Sequence, residues 1–241
     1  MTAILIPALL PVVILLRYVY KKDSHEKEPI GMVLKVAFFG AIFSFIDIPL
    51  ESLAEGIISQ YYAPDTNEFL LRENFLGVAL IEELTKWVVL IFFVWKSPDF
   101  DWSYDGIVYA VTSSLGFAGM ENILYLMTYG PGISFARAIF SIPGHAAFGV
   151  FMGYYLARAK DAALRNNSFG KTWNMILCIL IPTLIHGYYD FKLSIPDEDS
   201  STLTFLLYVI FIDITSWLLI KHAFKTDAPL GEDAPEQNSS I

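Results

Sequence analysis

The sequence has little charge and almost no cysteine, and each shortage excludes a class of protein. Cys178 is the only cysteine among 241 residues, which excludes an intramolecular disulfide framework and any CxxC metal or redox site. Basic residues number 16 against 25 acidic ones, so no basic surface for nucleic acid is expected. Charged residues make up only 17% of the chain, and its mean hydropathy is +0.50. A water-soluble enzyme is therefore largely excluded, and any bound metal must be held by histidine and carboxylate side chains.

Long apolar runs fill most of the chain. A helix needs about 20 predominantly apolar residues to cross a bilayer, and seven segments approach or reach that length. We therefore predict an all-α, polytopic integral membrane protein with about seven transmembrane helices in one domain, residues 1–226. The acidic stretch 227–241 is rich in Pro, Ser, Gly and Asn, so a disordered cytoplasmic tail is expected there. The seven predicted segments are residues 2–19, 30–50, 75–95, 106–129, 133–156, 173–191 and 203–220.

Basic residues are divided unequally between the two sides of this predicted bundle. One side has ten of them, whereas the other has only Arg72 and Lys192. Cytoplasmic loops of membrane proteins carry the excess of Lys and Arg. We therefore predict a cell-membrane protein with its N-terminus outside and its C-terminus in the cytoplasm. The ten residues are Lys21, Lys22, Lys27, Lys96, Arg158, Lys160, Arg165, Lys171, Lys221 and Lys225.

Three ionisable residues lie within the third apolar segment, where each would cost roughly 2.5–3.5 kcal/mol near the bilayer centre. Lys86 follows Glu82 by four residues and Glu83 by three, so one ammonium group can reach both carboxylates on the helix surface. A structural ion pair that locks the helices together accounts for one of the carboxylates. The other is left over and suits a general base.

Further polar residues interrupt segments four to six. Glu121 lies in an apolar helix with several small residues, and His145 follows Pro143, whose kink would aim the ring inward. A histidine with a packing role is the alternative there. His186 and Asp190 share one helix face, so that Asp190 either orients the imidazole or reaches the reacting centre together with it. A hydrated pair at the membrane interface is the alternative.

The depths of these groups point to one common site. At 1.5 Å per residue from the outer end of each helix, Glu82 lies about 10 Å deep, Glu121 about 12 Å and His186 about 8 Å. His145 lies at about 18 Å unless the proline kink shortens the path. We therefore predict a site in the outer half of the membrane, between helices 3 to 6. Two histidines and a carboxylate form an acceptable ligand set for catalytic zinc, although the spacing is not HExxH.

A proton-coupled transporter or receptor with seven helices is the competing class. In such a protein, buried Glu and His residues form a relay or a ligand site. A transporter should show repeated halves with interrupted helices at matching positions, and no internal repeat is evident. The lack of this symmetry favours a hydrolytic centre.

Four short motifs follow one another along the chain: EELTK at 82–86, FAGME at 117–121, PGH at 143–145 and HGYYD at 186–190. The run YKKDSHEKEP lies after the first helix, and DGIVYA begins at Asp105. In this order the motifs resemble those of the PrsW family of intramembrane proteases. The resemblance covers about residues 15–192.

The resemblance implies a membrane-embedded endopeptidase related to the type II CAAX prenyl endopeptidases. Its partners would be the lipid bilayer and a single-pass membrane protein such as an anti-sigma factor, cleaved on the extracytoplasmic side, with no nucleic acid. From the residue chemistry we expect zinc as the cofactor, bound by Glu121, His145 and His186, and a metal-independent glutamate protease is the alternative. The CAAX relatives carry His at the position of Glu121 and usually Asn at that of Asp190, so their detailed roles are not transferred. The matched positions are Glu82, Glu83, Lys86, Phe117, Glu121, His145, His186 and Asp190.

Within this set we expect one glutamate to activate water. Glu82 or Glu83 takes the proton, with Glu82 favoured, and the resulting hydroxide attacks a peptide carbonyl. Asp190 orients His186, and Lys86 balances the glutamate that is not the base.

Overall fold

A computed structural model describes residues 2–23, 26–64, 66–195 and 199–232. Two π-helical turns, Glu73–Ala79 and Arg137–Ser141, join α3 (Asn67–Arg72) to α4 (Leu80–Phe93) and α6 (Ser134–Ala136) to α7 (Ile142–Leu164), and a 3₁₀ turn, Pro131–Ile133, precedes α6. Counting helices that are joined end to end by these turns as one helical rod, the described residues form seven rods. No β-strand occurs in the described ranges, which confirms the all-α prediction. The helices are α1 (Thr2–Lys22), α2 (Ile30–Ile58), α3 (Asn67–Arg72), α4 (Leu80–Phe93), α5 (Asp105–Tyr129), α6 (Ser134–Ala136), α7 (Ile142–Leu164), α8 (Ser168–Ser194) and α9 (Asp199–Lys225).

The surface of the bundle is apolar. Helices α2, α5, α8 and the Thr202–Lys225 part of α9 are each long and apolar enough to cross a membrane. Large hydrophobic side chains are exposed on them, among them Phe38 on α2, Leu180 on α8 and Phe211 on α9. Many exposed apolar side chains of this kind are unfavourable in water and favourable in the hydrocarbon core of a bilayer. The pattern is typical of a multi-pass membrane protein.

Helix α5 lies at the centre of the bundle and packs against α1, α2 and α7. Glycines permit the closest crossings. A methyl group built at Gly116 would overlap the backbone carbonyl of Ala37 on α2, and one built at Gly153 on α7 would overlap the carbonyl of Gly106. Small residues at such crossings let helix backbones approach closely in membranes. The crossings hold α2 and α7 against α5, so that polar side chains on all three helices can meet.

The first part of the predicted tail, residues 227–232, is packed against the bundle. Asp227 Oδ1 accepts a hydrogen bond from Ser103 Oγ over 3.0 Å. The backbone N–H of Leu230 donates to the carbonyl oxygen of Asp101 over 2.7 Å. These contacts join Asp227 and Leu230 to the loop before α5, and the disordered tail stays a prediction. The rest of the predicted tail lies outside the described residues.

Candidate active site

The seven residues predicted to form a site lie in one cluster around the ammonium group of Lys86. Its Nζ lies 3.0 Å from Glu82 Oε2 and 2.7 Å from Glu83 Oε1. It also lies 3.1 Å from Nδ1 of His145 on α7. Lys86 and Glu83 are fully buried, and Glu82 is 6% exposed. The centre of the cluster is thus a buried ion network in which one cation contacts two carboxylates.

Each of the two histidines has a carboxylate on its Nε2 atom. His145 Nε2 lies 3.0 Å from Glu121 Oε2, and His186 Nε2 lies 3.0 Å from Asp190 Oδ2. The Nδ1 atoms lie on the other side of each ring, and that of His186 is 2.9 Å from Glu83 Oε1. A carboxylate on one ring nitrogen fixes the orientation of an imidazole and directs its other nitrogen. Both Nδ1 atoms are therefore directed toward the Glu–Lys network.

These contacts define what the ring nitrogens can do. An ammonium group donates hydrogen bonds and never accepts them. Nδ1 of His145 therefore accepts from Lys86, and its Nε2–H donates to Glu121. Both nitrogens of His186 face carboxylates, an arrangement that a doubly protonated ring or a cation beside Nδ1 would satisfy. The carboxylates around Lys86 and His186 therefore favour positively charged groups at the centre of the site.

Two π-helical turns orient the helices that supply these residues. The turn Glu73–Ala79 leads into the first turn of α4, which contains Glu82 and Glu83. The turn Arg137–Ser141 leads into α7, which has His145 near its start. Turns of this type are rare and often occur at functional sites. Since one extra residue rotates the following helix by about 100°, the π turns decide which faces of α4 and α7 meet.

Helix α5 supports both sides of the cluster. Ser113 Oγ donates to the backbone carbonyl of Lys86 over 3.2 Å, and Ser114 Oγ donates to that of His145 over 2.6 Å. The ring of Phe117 lies beneath the ammonium group, with Nζ of Lys86 4.4 Å from the ring centroid. A cation over an aromatic face is stabilised by the ring quadrupole. Phe117, which the resemblance had also indicated, thus contacts the charged centre directly.

A cavity of about 690 Å³ opens onto the cluster. Five of the seven predicted residues line it, whereas Glu83 and Lys86 lie behind its wall. Glu82 is therefore the member of the glutamate pair that water or a substrate in the cavity would meet. The five lining residues are Glu82, Glu121, His145, His186 and Asp190.

Three further polar residues belong to the site and were not among the predicted ones. Thr85 Oγ1 lies 3.0 Å from Asp47 Oδ2 and 2.8 Å from the carbonyl oxygen of Glu82. Arg137 Nη2 lies 2.9 Å from Glu121 Oε2. Asp47 and Arg137 both fall within predicted apolar segments. The cost of burying a charge, which had singled out Glu121, is therefore a signal that could have identified them.

The Arg137 guanidinium holds Glu121 in place and is itself held on two sides. Its Nε donates to Asn122 Oδ1 over 2.9 Å, and its Cζ lies 3.9 Å from the centroid of the Tyr125 ring. We expect Arg137→Gln to lower kcat for cleavage about 10- to 100-fold with little change in KM, because Glu121 and then His145 lose their orientation. Steady-state cleavage of a membrane substrate measures both constants.

The matched controls for this prediction are Arg137→Lys and Arg158→Gln. Lysine keeps the charge without the planar fork, so partial recovery of kcat is expected. Arg158 is exposed at the other end of α7, and its replacement should leave kcat unchanged. Equal losses of kcat and of folded yield in Arg137→Gln, without recovery in Arg137→Lys, would contradict a positioning role.

One set of side chains fits a metal ion. Single ligand atoms of Glu82, His145 and His186 lie within 4.8 Å of one another, and all three residues are buried. Glu121, which we expected in the zinc set, contacts Nε2 of His145 and Nη2 of Arg137. Two imidazoles and a carboxylate, with further carboxylates on the outer ring nitrogens, suit zinc.

A second group of acidic residues lies at the opposite end of α5. Ligand atoms of Asp23, Glu28 and Asp105 lie within 4.8 Å of one another. The hydroxyl group of Tyr109 donates to Glu28, and Asp105 Oδ2 accepts from the backbone N–H of Trp102 over 2.6 Å. Burial raises the pKa of Glu28 to about 7. These contacts attach the loop before α2 to the start of α5.

Comparisons with known proteins agree on one family. Residues 28–218 match the model of the PrsW family intramembrane metalloprotease. The chain belongs to the PrsW family. A Protease PrsW from Oceanobacillus iheyensis is 37% identical over 92% of this chain and 97% of its own length. Those from Geobacillus kaustophilus and Bacillus subtilis are 40% and 37% identical over 76% and 80% of this chain, and over 76% and 84% of their own lengths. No solved structure matches.

Membership in the PrsW family decides the class of protein. The chain is a peptidase, and with its apolar helices it is a multi-pass membrane protein. This confirms the resemblance and the predicted enzyme class, and it sets aside the transporter or receptor alternative. The matched region runs from the loop before α2 into α9, so it includes every residue of the cluster.

Proposed function

We propose that the chain is an intramembrane endopeptidase that cleaves single-pass membrane proteins, such as anti-sigma factors, near the extracytoplasmic side. The observation that supports this best is the placement of Glu82. It lines the cavity together with His145 and His186, while its ion-pair partner Lys86 is buried behind it. A carboxylate held in this way beside two imidazoles is suited to activate water.

The two ends of the bundle support cleavage on this side. At one end, Lys22 lies over the ring of Phe224, and Lys160 donates to the carbonyl oxygen of Trp95. Basic residues of several helices thus gather there, as expected for a cytoplasmic end. The cavity lies toward the other end, where Tyr129 at the end of α5 lines it. We place the N-terminus and the cavity outside and the C-terminus in the cytoplasm.

Without a metal ion, the reaction uses the chain's own residues as follows. Glu82 takes a proton from a water molecule in the cavity, and the oxygen attacks the carbonyl carbon of the peptide bond. The carbonyl oxygen becomes negative, and the positive charges of Lys86 and of a doubly protonated His186 ring stabilise it. The C–N bond then breaks, and the proton held by Glu82 passes to the leaving amine.

A zinc ion fits the same cluster and would change one of these roles. Glu82, His145 and His186 would hold it, and it would supply a Lewis acid that polarises the carbonyl group and acidifies water. Glu121, which lies beside His145 in the same cavity, is then the carboxylate that takes the proton. A glutamate protease without metal, with Glu82 as the base, is the alternative.

The size of the cavity indicates the form of the substrate. One turn of α-helix, 5.4 Å high and 10–12 Å wide, occupies roughly 400–600 Å³, and the cavity has about 690 Å³. It therefore accepts only about one helical turn. In lipid, the backbone groups of a helix are bonded internally and are closed to attack. We infer that the substrate enters as a locally unwound segment with helix-breaking residues near the outer interface.

The test is cleavage of single-pass anti-sigma factors by the purified protein in nanodiscs, with products located by mass spectrometry. We expect cleavage near the extracytoplasmic end of the substrate helix, loss of activity with phenanthroline, and recovery with zinc. Bound metal should be about one zinc ion per chain and should fall in His145→Ala and His186→Ala. Activity that resists chelation, with no bound zinc, would favour the metal-free reaction. Cleavage of none of the substrates, or only on the cytoplasmic side, would contradict the proposal.

A further inference from the structure

The cavity has an acidic wall that the proposed reaction does not use. Asp47 and Glu51 lie one turn apart on α2, and both line the cavity. Asp47 is only 2% exposed, and its Oδ1 atom has no hydrogen-bond partner among the described residues. Glu51 makes no hydrogen bond or ion pair within the described ranges. Two carboxylates therefore face the cavity without a cation of their own.

The basic groups around the cavity are already paired with other carboxylates. Lys86 contacts Glu82 and Glu83, and Arg137 contacts Glu121. The two imidazoles have carboxylates on their Nε2 atoms. Within the described part of the chain, none of these groups forms an ion pair with the acidic wall. Burying a carboxylate within the membrane costs free energy unless a cation pairs with it.

We propose that Asp47 and Glu51 form a subsite for a basic side chain of the substrate, lysine or arginine. This inference rests on the proposed function. A basic residue in an unwound segment would extend its apolar stem along the cavity and place its charged head between the two carboxylates. Its positive charge would neutralise the two carboxylates. They would in turn stabilise the charge that the substrate brings into the membrane.

The subsite adjoins the proposed catalytic centre. Thr85 Oγ1 lies 3.0 Å from Asp47 Oδ2 and 2.8 Å from the backbone carbonyl oxygen of Glu82. The acidic wall is therefore attached to the helical turn that supplies Glu82. Consecutive residues of an extended chain are about 3.3–3.6 Å apart. The recognised basic residue consequently lies within about two residues of the cleaved bond.

Substrates that differ in one residue test this subsite. Lysine and methionine, which have similar length, are exchanged at each of the two positions on either side of the cleaved bond. We expect kcat/KM to be at least about tenfold higher with lysine at one position, which corresponds to about 1.4 kcal/mol. Glu51→Gln should bring this ratio toward one, and Glu51→Lys should reverse it in favour of a substrate with glutamate. Glu55→Gln, on an exposed position one turn further along α2, is the matched control and should keep the ratio.

Binding separates the subsite from the proposed function. Fluorescent peptides with lysine or methionine are titrated against the Glu82→Gln variant and against Glu82→Gln with Glu51→Gln. We expect a Kd about tenfold lower for the lysine peptide, lost in the double variant. Equal Kd values and equal kcat/KM values at every position would overturn the subsite while cleavage itself stands. A retained preference in binding without any cleavage by the unmodified chain would instead overturn the proposed function.

Discussion

Replacing Glu82 with glutamine is expected to lower the rate of peptide cleavage about 10²- to 10⁴-fold, because glutamine has the same size but can neither accept a proton nor supply a carboxylate ligand to a metal ion. Glu82 is the glutamate of the pair that lines the cavity, at 6% exposure. Single-turnover cleavage with enzyme in excess measures the chemical step without product release. Glu55→Gln makes the same chemical change on an exposed part of α2 and should leave the rate unchanged.

Glu83→Gln separates the two glutamates. Glu83 is fully buried and contacts Lys86 and His186, so its loss disturbs the groups that surround Glu82 without removing the base. We expect a smaller decrease in rate, accompanied by a lower unfolding temperature. Activity within tenfold of the unmodified chain for Glu82→Gln, together with complete loss for Glu83→Gln, would reverse the assignment.

Contacts within one helix could be predicted from the sequence. Lys86 reaches both glutamates, and Asp190 reaches His186, at the separations of three and four residues that bring side chains together on a helix. Helix geometry alone fixes these distances. The number of apolar segments likewise predicted the number of rods, because a bilayer sets the length of a helix that crosses it and the segments could be counted by that length.

Contacts between helices could not be predicted in the same way. The pairing of Arg137 with Glu121 depends on the π turn Arg137–Ser141, which changes the direction in which the side chains around it point. The depth estimate for His145 assumed one straight helix from residue 133. In the structure this rod begins with a short helix and a π turn, and His145 lies 3.0 Å from Glu121. Asp47 accepts a hydrogen bond from Thr85, 38 positions later in the chain. This pairing is set by the crossing of α2 and α4.

Lys86→Met is expected to lower the free energy of unfolding by about 3–5 kcal/mol, because it leaves buried carboxylates without their cation. Methionine has nearly the length of lysine, so the change removes the charge and little volume. Glu82 and Glu83 are 7% and 0% exposed at their side chains and both contact the ammonium group. Thermal unfolding in nanodiscs should show a decrease in Tm of about 10 °C.

The double variant Lys86→Met with Glu83→Gln isolates the charge effect. If uncompensated charge causes the loss, removing one of the two carboxylates should recover about half of the lost stability, although the double variant contains one more substitution. Lys225→Met, exposed at the end of α9, should leave Tm unchanged. A further decrease in the double variant would instead mean that packing by the lysine stem stabilises α4. Recovered stability together with slower cleavage than in Glu83→Gln alone would show that the ammonium group serves the reaction as well as the fold.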